Sequence, residues 1–392
     1  MSTLKEDFLN FQAQTSPYPM GLEVSRAEGS YIYDMKGNAY LDFVAGVSAC
    51  TLGHCHPKVV KAICQQSKSY MHTMVYGEFI TKSAVALCRK LSEILPYPLR
   101  VTYLVNSGTE ATEGAIKLAK ASTKRSEIIA AQKSYHGNTQ GSMSVMGHEP
   151  RKSPFRPLIP DVKFIRFNEE DDISQISDNT AAVILETIQG SAGFITPEND
   201  YLKKIKKHCE KMGTLLILDE VQTGFGRTGS FFAFQQYGVI PDILVMGKGM
   251  ASGMPIGAFT TSRELMSLLS EKYRLGHITT FGGNPVVASS ALVTLGELQR
   301  SNLINEISEK EWFIKTELKH PKIKNIRGKG LMLALEMEDK EIANQVIKEC
   351  LKERLILFWL LFDPKAIRIT PPLNISLEEI KKGIDIIKFV LG

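Results

Sequence analysis

From about residue 55 to 290, short apolar runs alternate with stretches of helical periodicity: Val101–Val105, Ile128–Ala131, Val162–Ile165, Ala182–Leu185, Leu215–Leu218 and Ile243–Met246. Runs this short and this continuously apolar read as strands buried on both faces. Strands alternating with helices build a mostly parallel sheet covered by helices on each side. The flanking segments have a different pattern. Residues 1–54 hold a short helical pattern, then Tyr31-Ile32-Tyr33-Asp34, a Lys36-Gly37-Asn38 turn and Tyr40-Leu41-Asp42-Phe43, which predicts a β-hairpin. Residues 291–392 hold helical segments, a strand at Gly330–Leu335, another at Ala366–Ile369 and a closing helix. The expected organisation is an amino-terminal arm over 1–54, a large unit over 55–290, and a smaller α/β unit over 291–392 that the arm joins.

Two of the apolar runs lead directly into reactive side chains. Leu215-Leu216-Ile217-Leu218 runs into Asp219-Glu220-Val221-Gln222, and Ile243-Leu244-Val245-Met246 into Gly247-Lys248-Gly249. The carboxyl ends of strands in an open α/β sheet form the crevice that binds ligands, so Asp219 and Lys248 are expected to meet over one small molecule. Such a pair suits pyridoxal phosphate. The amine forms a Schiff base with the aldehyde, and the carboxylate keeps the pyridine nitrogen protonated so that the ring accepts electrons. A lone lysine is more often a solvated surface group. The flanking glycines and the buried run before Lys248 set it apart from that class.

The chain has 392 residues, which points to two or three folding units, and a 43% apolar and 23% charged composition ordinary for a globular protein. A net charge of +5 spread over this length leaves no electrostatic footprint for nucleic acid, and Lys203-Lys204-Ile205-Lys206-Lys207 reads as the wet face of a helix. Six scattered cysteines do not make a disulfide framework and suit a reducing compartment. The first ten residues lack the apolar core of a secretory signal, and the apolar run Leu355–Phe362 falls far short of the ~20 residues a membrane helix needs. The expectation is a cytoplasmic protein without a membrane or nucleic-acid partner.

Asn106-Ser107-Gly108-Thr109-Glu110 follows the run Val101–Val105 and opens a helix in which Ala111, Ala115 and Ala119 recur every fourth residue. Ser107 and Glu110 fit a capping box, and the N–H groups around Gly108 and Thr109 are equally suited to a phosphate; the two roles are compatible. Tyr135-His136-Gly137 follows the run Ile128–Ala131, where the tyrosine ring either fills core or lies on a pyridine ring. Gly224-Phe225-Gly226-Arg227-Thr228-Gly229 matches the spacing of a dinucleotide fingerprint, which keeps a nicotinamide-dependent oxidoreductase as an alternative. The context argues against it: Phe231, Phe232 and Phe234 make a poor dinucleotide helix, and the region where the acid is expected reads Gly247-Lys248-Gly249-Met250. A Walker phosphate loop fails too, because Gly249 stands where Ser or Thr must follow the lysine. His54-Cys55-His56 lacks a second cluster to complete a zinc site, so no metal is expected.

Taken in order, Asn106–Glu110, Tyr135–Gly137, Glu186-Thr187-Ile188-Gln189-Gly190, Asp219–Gly229, Gly247–Gly249, Thr279-Thr280-Phe281-Gly282-Gly283-Asn284-Pro285 and Arg368-Ile369-Thr370-Pro371-Pro372-Leu373 resemble the motif series of class III pyridoxal-phosphate aminotransferases. The likeness covers nearly the whole chain and is nearest to the acetylornithine, ornithine and 4-aminobutyrate group, whose early segment Leu52–Pro57 also resembles. It implies fold type I: a large domain with a mostly parallel seven-stranded sheet, a smaller α/β domain from both termini, and a homodimer with shared active sites. It further implies that Lys248 carries the cofactor and shuttles protons, and that Asp219 pairs with the pyridinium nitrogen. Gln222 is expected at the ring hydroxyl, Tyr135 with His136 against the ring, and Glu186 near the cofactor. Ser107, Gly108 and Thr109 are expected at the phosphate, together with Thr280 from the neighbouring subunit. Arg368 matches an arginine that grips a substrate carboxylate through a bidentate pair.

Three positions depart from many members of that group. Asn138 stands where arginine commonly follows the Tyr/Phe-His-Gly motif, which removes one carboxylate clamp. Ser191 stands where a glutamate often masks the substrate arginine, which leaves Arg368 permanently available. Val47 stands where ornithine-specific members tend to have tyrosine, against ornithine δ-transfer. The expected activity is transfer of an amino group, the terminal one of an ω-amino acid, to a 2-oxo acid such as 2-oxoglutarate. An aminomutase or lyase of the same fold is the alternative that shares the cofactor.

Overall fold

The computed structural model describes residues 3–392. Its centre is a seven-stranded sheet in the order Val101–Val105, Gly257–Thr261, Ile243–Gly247, Leu215–Asp219, Thr180–Glu186, Glu127–Ala131, Val162–Ile165. Only Gly257–Thr261 runs against its neighbours; the other pairings are parallel. Every residue of Glu127–Ala131, Thr180–Glu186 and Ile243–Gly247 is buried, so these strands have no polar face to alternate.

The helix Gly108–Thr123 lies on this sheet through Ala111, Ala115 and Ala119, all fully buried. Its start differs in one detail from a capping box. Ser107 Oγ accepts the Glu110 N–H at 3.3 Å, as expected, but the Glu110 carboxylate reaches back to the Asn106 N–H at 2.7 Å and the Asn106 amide at 2.9 Å. The glutamate thus ties down the last residue before the cap and not the cap itself.

Two smaller sheets flank the large one. The hairpin Tyr31–Asp34 and Ala39–Asp42 forms as expected, with Val24–Glu28 on one side. On the other side Leu41 pairs in parallel with Leu355, so the amino-terminal arm is knitted to the carboxyl-terminal part of the chain. The third sheet contains Ile323–Lys329, Met332–Met337, Ala366–Ile369 and Phe358–Trp359. The strand expected at Gly330–Leu335 runs instead over Met332–Met337, because Gly330, at φ +61°, makes the turn of the hairpin.

The glycine-rich stretch after Asp219 is a chain of turns, with Phe225, Gly226 and Gly229 at positive φ, and opens no helix. Glu220, fully buried, pins it: its carboxylate accepts the Thr187 and Thr223 hydroxyls, both at 2.8 Å, and the N–H groups of Ala233 and Phe234 at 2.8 and 2.7 Å. Arg227, also buried, donates to the carbonyls of Leu331 and Pro371. Thr370 in turn donates its N–H to Phe43 at 2.7 Å and its hydroxyl to Val44 at 2.9 Å. These bonds set the strand that carries Arg368 against both the large sheet and the loop that carries Val47.

No helix among the described residues is long and apolar enough to cross a membrane. His54 has a structural partner, the Asp42 carboxylate at 2.7 Å, and no group of three or more His, Cys, Asp or Glu among the described residues is arranged to hold a metal ion.

Candidate active site

Parallel pairing places three reactive strand ends side by side. Glu186 is opposite Asp219, Asp219 is opposite Val245, and Lys248 follows immediately after the strand that carries Val245. They open on a cleft of about 730 Å³.

Asp219 is held from two directions. Its Oδ2 lies 2.7 Å from His136 Nδ1 and its Oδ1 accepts the Val221 N–H at 2.9 Å. Glu186, also buried, accepts the N–H groups of Tyr135 at 3.0 Å and Gly190 at 2.8 Å, and burial pushes its pKa up to about 7. Lys248 has left-handed backbone, φ +41°, a strained conformation of the kind that clusters at functional sites. Burial pulls its amine down to about 8; Asp219 opposes that shift and Arg368 adds to it. Gly249 lets the segment around Thr51 close over the lysine, since a Cβ there would stand 2.2 Å from Thr51 Oγ1.

Gly108 and Thr109 line the cleft at the first turn of their helix, where N–H groups have no intrahelical acceptor. The Thr109 hydroxyl is shared with Thr139 at 2.9 Å and Ser142 at 2.6 Å. Gln222 donates to Ser48 Oγ at 3.4 Å, from the segment where Ala45, Gly46, Val47 and Ser48 all have positive φ. Arg368, 5% exposed, has no partner for Nε or Nη1, and burial lowers its pKa to about 10. Burial and then Asp219 raise the pKa of Tyr135, while Arg151 opposes them.

Of the residues singled out from sequence, Val47, Gly108, Thr109, Tyr135, His136, Asn138, Glu186, Ser191, Asp219, Gln222, Lys248 and Arg368 line this one cleft. Ser107 sits behind the helix start as its cap, and Thr280 is exposed on its own chain, outside the cleft. Sequence reasoning passed over Thr15, Ser16, Arg151 and Phe358–Leu361, which also line it. The apolar run Leu355–Phe362 gave a usable signal: Phe358 pairs with Arg368, so any strand added next to Ala366–Ile369 borders the same cleft.

The sequence profile of class-III aminotransferases matches residues 12–391. The chain belongs to the class-III aminotransferase family. Acetylornithine aminotransferase of Archaeoglobus fulgidus is 38% identical over 366 residues, 93% of this chain and 94% of that protein. A [LysW]-aminoadipate semialdehyde/glutamate semialdehyde transaminase of Sulfurisphaera tokodaii is 37% identical over 81% of this chain and 82% of its own. Among solved structures, ornithine aminotransferase from Toxoplasma gondii superposes with a TM-score of 0.92 at 30% identity, over 100% of this chain and 96% of the other. Another crystal structure of that enzyme carries pyridoxal phosphate in partial occupancy at its active site.

As a class-III aminotransferase the chain is a pyridoxal-phosphate enzyme, and the cleft fits that cofactor on its own chemistry. An anion cradle at a helix start, a buried amine of lowered pKa and a carboxylate oriented by His136 match, respectively, a phosphate, an aldehyde and a ring nitrogen. A dinucleotide has no such match here, because the glycine-rich stretch presents turns where that ligand needs a helix start.

Proposed function

We propose that this class-III aminotransferase moves the terminal amino group of an ω-amino acid, of the acetylornithine, ornithine or 4-aminobutyrate type, to a 2-oxo acid such as 2-oxoglutarate. The observation that carries the substrate class is Arg368: a buried guanidinium in the cleft, with two nitrogens unpaired, calls for a carboxylate from outside the protein. The names of the relatives support the same class.

Pyridoxal phosphate, when bound, supplies an electron sink for the carbon that loses its proton. Lys248 would hold the cofactor and then, as a neutral amine, move the proton between substrate and cofactor; its lowered pKa enlarges the share of that form relative to an ordinary lysine. Asp219, oriented by His136, would keep the ring nitrogen protonated. Gln222 would meet the ring hydroxyl, Tyr135 with His136 would pack on the ring, and Gly108 and Thr109 would hold the phosphate, with Ser107 fixing the helix start. Glu186 holds the Tyr135 backbone in place and would thereby fix the ring-packing residue. Val47, Asn138 and Ser191 would set the shape and polarity of the substrate end.

A homodimer with shared sites belongs to this reading. Met71, Met74, Val75, Phe79 and Ile80 are exposed beside Ile278 and Phe281, and Tyr76 bonds the Thr279 carbonyl within the patch. Thr280 is exposed beside these residues, and in this reading it would serve the phosphate site of a partner. The division into 1–54, 55–290 and 291–392 accompanies this reading: the seven-stranded sheet lies wholly within 55–290, while the strand Leu355–Ile356 joins the arm's sheet and ties 1–54 to 291–392. Six free thiols support a reducing, cytoplasmic setting.

The test is a half-reaction screen of purified protein with ornithine, N-acetylornithine, 4-aminobutyrate, β-alanine and simple amines, without oxo acid. The expected result is one turnover per site, read as conversion of the visible cofactor absorbance, and restart on adding 2-oxoglutarate. Turnover that continues without an oxo acid indicates a mutase or lyase, and reaction with α-amino acids alone refutes the ω-amine assignment.

A further inference from the structure

The cleft contains a second arginine that none of the motifs accounts for. Arg151 lies on the short helix Glu149–Lys152, and its neighbours there are engaged elsewhere. Glu149 pairs with Arg156 at 2.7 Å, and Lys152 is buried with its amine 3.9 Å from the centre of the Phe164 ring. Arg151 lines the cleft and has no carboxylate within salt-bridge distance among the described residues. Its guanidinium is nevertheless mounted: Nη2 donates to the Leu361 carbonyl at 3.3 Å, and its central carbon lies 5.8 Å from the centre of the Phe362 ring. That ring is stacked on His148 at 4.4 Å with the planes only 5° apart. One nitrogen is committed to the protein, and the rest of the donor fork is left for a ligand.

Arg368, on a different element of the same cleft, is buried with Nε and Nη1 unpartnered, whereas Arg151 is exposed at the cleft wall. Asn138 and Ser191, which line the same cleft, carry no charge that would neutralise either arginine. Two cationic forks from distant sequence segments in one cleft, neither in a salt bridge among the described residues, suit a molecule with two carboxylates. We propose that Arg151 is a specificity-determining residue that takes the distal carboxylate of a dicarboxylic substrate, an oxo or amino acid of the 2-oxoglutarate type, while Arg368 takes the proximal one. The inference rests on the transamination reading of the cleft and deepens it by naming which residue reads the second charge.

Glutarate and valerate, unreactive acids of equal chain length with two carboxylates and one, separate the roles by calorimetric titration of the cofactor-loaded protein. Glutarate is expected to bind more tightly than valerate in the wild type. Arg151→Gln should lower glutarate affinity by about 10- to 100-fold, the usual effect of losing a charged hydrogen-bond partner, with valerate affinity held within about twofold. Arg151→Lys should restore part of the glutarate affinity, and Arg368→Gln should weaken both ligands. Wild-type glutarate affinity in Arg151→Gln, or an equal loss for both acids, overturns the proposal. Failure of the transamination reading would be seen separately, as a wild-type protein whose visible cofactor absorbance does not respond to any amine.

Discussion

Lys248 is an amine whose ordinary behaviour the fold has changed. Placed in left-handed backbone after a fully buried strand, it loses hydration, and burial brings its pKa to about 8 from an ordinary value of 10.5. The neutral amine is the nucleophile, and its share rises as pH rises through the pKa. Protein stripped of cofactor should therefore take up pyridoxal phosphate faster with increasing pH and level off above about 8, read as growth of visible absorbance. Lys248→Ala should show no such growth at any pH. A rate that keeps climbing toward 10.5, or a variant with an unchanged spectrum, contradicts the role assigned to this residue. Lys248 and Asp219 were legible in sequence because each directly follows an unbroken apolar run. Arg151 was not, since nothing in His148-Glu149-Pro150-Arg151 states that a carbonyl and two stacked rings will hold that guanidinium at the cleft wall.

Among the elements, the turn series after Asp219 depends on one carboxylate. Four donors converge on Glu220, and through them the stretch that bears Arg227 is fastened to the sheet. Glu220→Gln keeps the volume but turns an amide N–H toward groups that are themselves donors. A loss of about 3 kcal/mol is expected, with one buried donor left unsatisfied and charge-assisted bonds weakened. Urea unfolding of the cofactor-free protein measures it; a midpoint equal to wild type would show that the four bonds do not hold the segment. The glycine spacing of this stretch resembled a dinucleotide fingerprint because spacing alone does not record where a helix starts. Similarly, the helix cap at Ser107 was visible as a residue pattern, whereas the reach of Glu110 to Asn106 depends on a side-chain path that no spacing specifies.

Across the whole molecule, Met71, Met74, Val75, Phe79 and Ile80 with Ile278 and Phe281 place several exposed apolar side chains on two neighbouring segments. Ile80 is 94% exposed and Phe79 62%. If this face joins two copies, the double variant Phe79→Asp, Ile80→Asp should elute as a monomer in light-scattering chromatography where the wild type is a dimer. It should also bind pyridoxal phosphate at least about tenfold more weakly, because two charges cannot be desolvated in such a face and Thr280 would be withdrawn from the partner's site. A wild-type monomer with full cofactor affinity would sink the shared-site arrangement. The six parallel strands, the α/β class and the acid–amine pair were determined by the sequence alone, because buried strands leave short apolar runs and strand ends converge by construction; the antiparallel strand Gly257–Thr261, with its Gly and Thr residues, left no such run. Phe358–Leu361 left a trace in the apolar run beside the strand of Arg368, with which Phe358 and Trp359 pair antiparallel. That Thr15 and Ser16 of the amino-terminal arm line the same cleft as Lys248 and Arg368 was decided only by tertiary structure. Contacts between segments hundreds of residues apart are set by packing, which leaves no periodicity in the chain. The choice of substrate rests on those contacts.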